Sequence, residues 1–286
     1  MKVNIAIKGG LGNQLFQYAI GSFLQNKYGC AIYFDTLPLN EKGDNLTARN
    51  LLIDQLFPEM QFTNTNTHQL FYSQNDHFLL KSYKKIYRLI NNHKYITETN
   101  NISLQSGYTY YLDGYWQNLS YARAICKETN SALSLKAKED PFAKLILDSG
   151  ETAAIHIRRG DYVSNKFINS YHGNCDLSYY LNAAEQLEKL KKIDAYFIFT
   201  DDIDWAKNNL KLNKPAHIFN GDIHDPIIDL YLMKLCCNLI MSNSSLSCWA
   251  SYLNEHKNKC VFAPINWTVK NKTENLPIFD KEWILI

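Results

Sequence analysis

Hydrophobic positions fall into two regular stretches separated by an irregular one. Residues 3–7 form a short, mostly apolar run, the pattern of a buried strand, and lead into Gly9-Gly10-Leu11-Gly12. Over residues 13–28 apolar side chains recur at Leu15, Phe16, Ala19, Ile20, Phe23 and Leu24, the spacing of one helix face. Gly29 stops that helix, and residues 31–34 read as the next strand. The chain therefore opens with a strand–helix–strand unit. Residues 36–107 are less legible: 46–57 is readable as a helix ending before Pro58, and 63–67, alternating Thr and Asn, as a loop. A strand follows over 110–116, then helices across 118–148.

From residue 151 the rhythm becomes strict. Strands are predicted at 153–158, 195–200, 216–219, 239–242 and 260–263. Helices are predicted between them at 177–190, 205–210, 227–237 and 246–253. Such alternation builds a parallel sheet with helices on both faces. A boundary at Gly150 divides the chain into domains 1–150 and 151–286. Two α/β halves facing across a cleft would place a ligand between them.

Composition adds limits. Of 286 residues, 46% are apolar and 20% charged, which excludes a disordered chain. A net charge of +2 gives no global pull toward nucleic acid or membrane. The seven Cys include no CxxC pair, so neither a zinc knuckle nor a redox motif is readable. Lys2 and Asn4 precede no apolar leader, and no run approaches a membrane span, so a reduced cytoplasmic setting is expected.

Four segments carry candidate chemistry. Gly9-Gly10-Leu11-Gly12-Asn13-Gln14 lies between a strand and a helix, where a ligand can approach backbone closely and a helix N-terminus favours an anion. Leu15 stands where a dinucleotide fingerprint needs its third Gly, and no P-loop Lys follows. A tight turn with Asn13 as helix cap accounts for the segment equally well. In His156-Ile157-Arg158-Arg159-Gly160-Asp161 two guanidiniums sit at a strand's carboxyl end, and paired charge-assisted hydrogen bonds there suit a diphosphate. Asp161 could instead neutralise one Arg, but one acid against two bases leaves positive charge. Thr200-Asp201-Asp202-Ile203-Asp204 fits a short metal-binding Asp-x-Asp pattern at Asp202 and Asp204, a helix cap, or a carboxylate for a nucleoside. Ser242-Asn243-Ser244-Ser245 opens a helix with hydroxyls and free amides, an anion cradle or a plain cap. Asp113 and Trp116 lie among aromatics, as in a sugar site, and His172 falls in a predicted loop.

Taken in order, GGLGNQLFQYA at 9–19, HIRRGDYV at 156–163, FTDD at 199–202 and SNSSLSCWA at 242–250 resemble the bacterial α-1,2-fucosyltransferases of glycosyltransferase family 11. Residues 36–107 match no family motif. The resemblance implies a GT-B-like fold of two Rossmann-like α/β domains and GDP-fucose as donor. It also implies inversion at the anomeric carbon, no metal or other cofactor, and a terminal β-galactoside accepting at its 2-hydroxyl. The lack of an anchor suggests a bacterial enzyme acting on cytoplasmic, lipid-linked O-antigen or capsule precursors, with peripheral membrane contact, and no nucleic-acid partner is expected.

By similarity, Arg158 holds the β-phosphate and Arg159 supports it. His156 with Asp201 or Asp202 is expected at the nucleoside end, and Thr200, Asn243, Ser244 and Ser245 complete the donor site. Gly10, Asn13, Gln14, Asp113, Trp116 and His172 are the acceptor or sugar candidates, with Asn13 also in the catalytic set. Asp161 is the first candidate base and Asp113 its rival. Another GDP-sugar transferase, a non-catalytic sugar-binding protein and a metal-dependent enzyme remain the alternatives.

Overall fold

The computed structural model describes residues 1–40, 49–63, 70–71, 76–99, 102–137, 140–160, 170, 173–220 and 225–286. The chain separates into two compact units, Met1–Ile125 and Cys126–Ile286. This division falls ahead of the boundary expected at 150. The reason lies in helix packing: Phe142 packs edge-on against Phe197 at 5.4 Å and lies 5.0 Å from Phe219, and Asn130 Nδ2 donates to the Leu253 carbonyl at 3.1 Å. Residues 126–148 thus belong with the second sheet.

In the first unit β1 (Lys2–Ala6) leads through α1 (Leu11–Tyr28) to β2 (Ala31–Asp35). Then come α2 (Phe78–Ile90), β3 (His93–Thr97) and β4 (Thr109–Asp113). The four strands are all parallel, in the order β2-β1-β4-β3. Leu15, Phe16, Ala19, Ile20 and Leu24 of α1 are buried, together with Val3 and Ile5 of β1. Each large one contributes roughly 1.5–3 kcal/mol by leaving water. Gly29 ends α1 in the left-handed region, φ 62°, with its N–H on the Gln25 carbonyl.

The helix expected over 46–57 is not formed among its described residues, where the only helical turn is a short 3-10 turn, Ile53–Gln55. Gln14 Oε1 accepts the N–H groups of Leu52 and Ile53, at 2.9 and 3.1 Å, so those donors are spent outside a helix. Of the expected loop at 63–67, residues 64–67 lie outside the described residues. Helix α3 (Leu119–Ala137) follows β4 and runs past the division between the units.

The second unit continues with α4 (Pro141–Asp148), β5 (Thr152–Ile157), α5 (Leu177–Leu190), β6 (Ala195–Thr200) and α6 (Ile203–Asn209). It goes on through β7 (Ala216–Ile218), α7 (Pro226–Leu235), β8 (Asn238–Ile240), α8 (Ser245–Leu253), β9 (Val261–Ala263) and β10 (Ile284–Leu285). The six-stranded order is β10-β9-β8-β5-β6-β7. Every residue of β5 and β6 is buried, as expected of central parallel strands covered on both faces. From β5 the chain winds outward to β7, then returns to β8 on β5's other side. The gap between the carboxyl ends of β5 and β8 is therefore a topological switch point, where open α/β sheets bind ligands. No described helix is long and apolar enough to cross a membrane.

Candidate functional site

The predicted segments of the second half meet at that switch point. β8, β5 and β6 are neighbours. Their carboxyl ends carry Ser242-Asn243-Ser244, His156 to Gly160 and Thr200 to Asp202 respectively. Pairing of Ile157 with Thr200 sets the two charged segments side by side.

Asp201 organises the arginine segment. Its Oδ2 lies 2.9 Å from Arg158 Nη1, and its Oδ1 accepts the Arg159 backbone N–H at 2.8 Å. A Cβ on Gly160 would come within 2.8 Å of Oδ2, so only glycine fits beneath this carboxylate without displacement. Asp202 accepts Arg159 Nε at 3.1 Å through Oδ2 and, through Oδ1, the Trp205 N–H that caps α6. Thr200 Oγ1 accepts the Asp202 N–H at 3.0 Å. The Arg159 guanidinium lies 4.2 Å over the Trp205 ring.

Counting Asp161 alone against two arginines left a net positive charge. The fold corrects that count, because Asp201 and Asp202 each pair with one guanidinium. The same contacts make both aspartates orienting partners of the guanidiniums. Asp202 also has both oxygens engaged, although Asp204 lies in the first turn of α6 beside it. Arg158 and Arg159 keep 28% and 19% of their side chains exposed at the carboxyl edge of the sheet.

His156 bridges the switch point. Its Nδ1 lies 2.8 Å from Ser242 Oγ, and the residue is buried. Burial lowers its pKa to about 4 despite the pull of the Asp201 carboxylate. The imidazole is therefore neutral at physiological pH and shapes the floor of the site rather than adding charge. Asn243 is buried too, its Nδ2 donating to the carbonyls of Gly173 and Trp267. That amide ties loops to the strand end instead of facing a ligand. Ser244 caps α8, its Oγ accepting the Leu246 N–H at 3.3 Å, and Ser245 is half-buried at the helix start. The cap satisfies the Leu246 amide, and the positive end of the α8 dipole lies at the switch point.

Two residues here escaped the sequence reading. Trp205 carries no signal in the sequence beyond its place at the start of the predicted helix at 205–210. Asp229 of α7 has its pKa pushed up to about 7, chiefly by burial and further by the Asp225 and Asp201 carboxylates. Its sole signal in the sequence was an acid amid the apolar run of residues 226–232.

In the first unit the outcome is mixed. Gly10 is the N-cap of α1, makes no side-chain cap and has open space at its Cβ position. Asn13 is inside the helix, not its cap, and its Oδ1 accepts Gln117 Nε2 at 2.9 Å. Gln14 is corrected from acceptor contact to structural tie. It is buried, donates to the carbonyls of Gly9 and Asn50 and accepts two N–H groups, which fills its hydrogen-bonding capacity. Trp116 is likewise 2% exposed and sits in the core, with a positive φ of 56°, so it offers no stacking face. Asp113 ends β4 beside β1, where Lys8 Nζ lies 2.6 Å from Oδ1 and the Tyr95 hydroxyl donates to Oδ2. Its partners compete with any acceptor hydroxyl for the same oxygens. Asp161 and His172 lie outside the described residues.

Residues 2–286 match the model of the family described as Glycosyl transferase family 11. The chain belongs to that family. Among relatives of family 11 enzymes, O-antigen biosynthesis glycosyltransferase WbnK of Escherichia coli is 28% identical, over 97% of this chain and 98% of that protein. The alpha-1,2-colitosyltransferase of Escherichia coli is 25% identical, over 98% of this chain and 97% of its own length. A crystal structure of NodZ alpha-1,6-fucosyltransferase soaked with GDP-fucose is similar at a TM-score of 0.50 and 13% identity, covering 88% of this chain and 92% of that one. That likeness concerns the fold, which is GT-B-like, with two parallel α/β sheets. The chain is thus a glycosyltransferase of family 11.

Proposed function

We propose that this enzyme transfers L-fucose from GDP-fucose to the 2-hydroxyl of a terminal β-galactoside in a bacterial surface glycan, with inversion and without a metal. The observation that carries the reading is the convergence of Arg158, Arg159 and the α8 N-terminus at one topological switch point. That set of donors suits the diphosphate of a nucleotide sugar. The name of the WbnK relative supports a role in O-antigen assembly.

In the proposed reaction the acceptor oxygen bonds to the anomeric carbon while the bond from that carbon to the β-phosphate oxygen breaks. Negative charge grows on the departing GDP, where donors already fixed in place stabilise it most. The acceptor proton passes to a base or to water. Asp161 is the proposed base, tested by Asp161→Asn, which is expected to lower turnover while GDP binding persists. Lost GDP binding would show a structural role. Asp113, already engaged by Lys8 and Tyr95, is the weaker candidate. On this reading the enzyme works on the cytoplasmic side, on a lipid-linked precursor.

The colitosyltransferase relative favours a second reading, another GDP-sugar on the same architecture. Thermal unfolding in EDTA with GDP, GDP-fucose, GDP-colitose, UDP and ADP tests the donor class that both readings share. A ligand at 100 times its Kd adds about 2.7 kcal/mol, enough to raise Tm by several degrees. A rise with the guanosine ligands alone supports the donor class. Product linkage analysis with each donor then tests sugar and position. A rise only after magnesium or manganese is restored would overturn metal independence.

A further inference from the structure

Helix α2 buries none of its residues. Wound at 100° per residue, its sequence, FLLKSYKKIYRLI, gathers six large apolar side chains on one side, with Ser82 among them and Leu80 outside the arc. Phe78, Leu79, Tyr83, Ile86, Leu89 and Ile90 span about 140° of arc. All are exposed, Phe78 by 81%, Leu79 by 80% and Ile90 by 75%. The helix meets its own unit from the opposite side, where Tyr87 packs edge-on to His93 at 6.0 Å and Lys84 pairs with Asp76 at 2.6 Å. The apolar arc therefore points away from these contacts.

All the charge on the helix is positive: Lys81, Lys84, Lys85 and Arg88, with no acid. These four charges exceed the +2 of the whole chain, so basicity is concentrated here. Lys81 and Lys85 are exposed and border the apolar arc at Phe78. Apolar side chains this exposed on a short helix need a cover. A second copy would set like charges along the seam of the pair. A bilayer with anionic headgroups takes the apolar arc below its surface and the lysine ammoniums at its phosphates. At 13 residues the helix is about 20 Å long, too short to span and suited to lying in the interface.

We infer that α2 is an interfacial membrane helix that docks the enzyme on an anionic phospholipid surface through Phe78, Leu79, Tyr83, Ile86, Leu89 and Ile90, with Lys81 and Lys85 on headgroup phosphates. The assignment stands on α2 alone and is independent of the donor sugar. It also gives the enzyme a means of meeting acceptors held on lipid.

The test is flotation of the full chain with vesicles containing about 30% phosphatidylglycerol in phosphatidylethanolamine, against pure phosphatidylcholine. The wild type is expected to bind the anionic vesicles roughly tenfold better at low salt. Leu79→Glu with Ile86→Glu should abolish flotation, and Lys81→Glu with Lys85→Glu should erase the preference for anionic lipid. Both variants should keep the wild-type GDP-induced rise in Tm and wild-type turnover of a soluble acceptor, which reports the catalytic reading separately. Three results would overturn the proposal: no flotation of the wild type, flotation unchanged in both variants, or a wild-type dimer in sedimentation that Ile86→Glu dissociates without any vesicle binding.

Discussion

Asp201 holds Arg158 across two strand ends, with Oδ2 2.9 Å from Nη1, and its other oxygen binds the Arg159 backbone N–H. The guanidinium is thus aimed before any ligand arrives, and geometry of this kind sets how much of its charge a transition state can use.

Arg158→Ala is expected to abolish sugar transfer, and Asp201→Asn to lower kcat by about tenfold to a hundredfold by loosening the same guanidinium. Arg158→Lys should not rescue, because an ammonium lacks the planar fork. Steady-state turnover of all three variants checks this. Wild-type turnover in Arg158→Ala would sink the diphosphate model.

Gly160→Ala introduces a methyl 2.8 Å from Asp201 Oδ2. The carboxylate must move, and Arg158 with it. GDP affinity is expected to fall by roughly tenfold, about 1.4 kcal/mol, with Tm in the absence of ligand changed little. Calorimetric titration with GDP decides it, and unchanged affinity would detach Asp201 from donor binding.

Stability against pH should show two opposing contributions. His156 titrates near 4 when folded against 6.5 in its unperturbed state, so the unfolded chain takes the proton first. Its contribution is complete above 6.5 and drains away as pH falls toward 4. Asp229 titrates near 7 when folded against 3.8 unperturbed, so there the folded chain takes the proton first. Its effect is a penalty that is full above 7 and vanishes as pH falls toward 4. Asp229→Asn should therefore raise Tm at pH 8 but not at pH 4, leaving the loss from His156 visible as a steeper acid decline. A Tm gain equal at both pH values would refute a titrating Asp229.

Gln14→Ala should destabilise the first unit by about 2–4 kcal/mol, because it strands the buried N–H groups of Leu52 and Ile53. Urea unfolding measures the loss. A variant of wild-type stability with impaired turnover would restore Gln14 to the acceptor site.

The second sheet was legible because its strands are short apolar runs set between helices with one apolar face. The predicted helix at 177–190 and strand at 195–200 coincide with α5 and β6. The stretch between β2 and β4 resisted the same treatment. β3 is an edge strand whose residues His93 to Thr97 are none of them buried, so no alternation was imposed on it. Helix α2 carries a clean helical pattern, yet its apolar face does not serve the core. The motifs of the second half meet at one switch point, but the carboxylates that pair with Arg158 and Arg159 lie more than forty positions away in sequence. Only the pairing of β5 with β6 brings them together. Gln14 and Trp116 show the reverse failure. Both stand in promising company along the chain, and both are consumed by packing.

The stacking of Arg159 on Trp205 at 4.2 Å has one more consequence. If the proposed diphosphate site is right, the indole is a built-in optical probe of it. A diphosphate that draws the guanidinium off the ring changes the charge beside an excited indole, and intrinsic fluorescence would then report donor capture in real time, with no label attached.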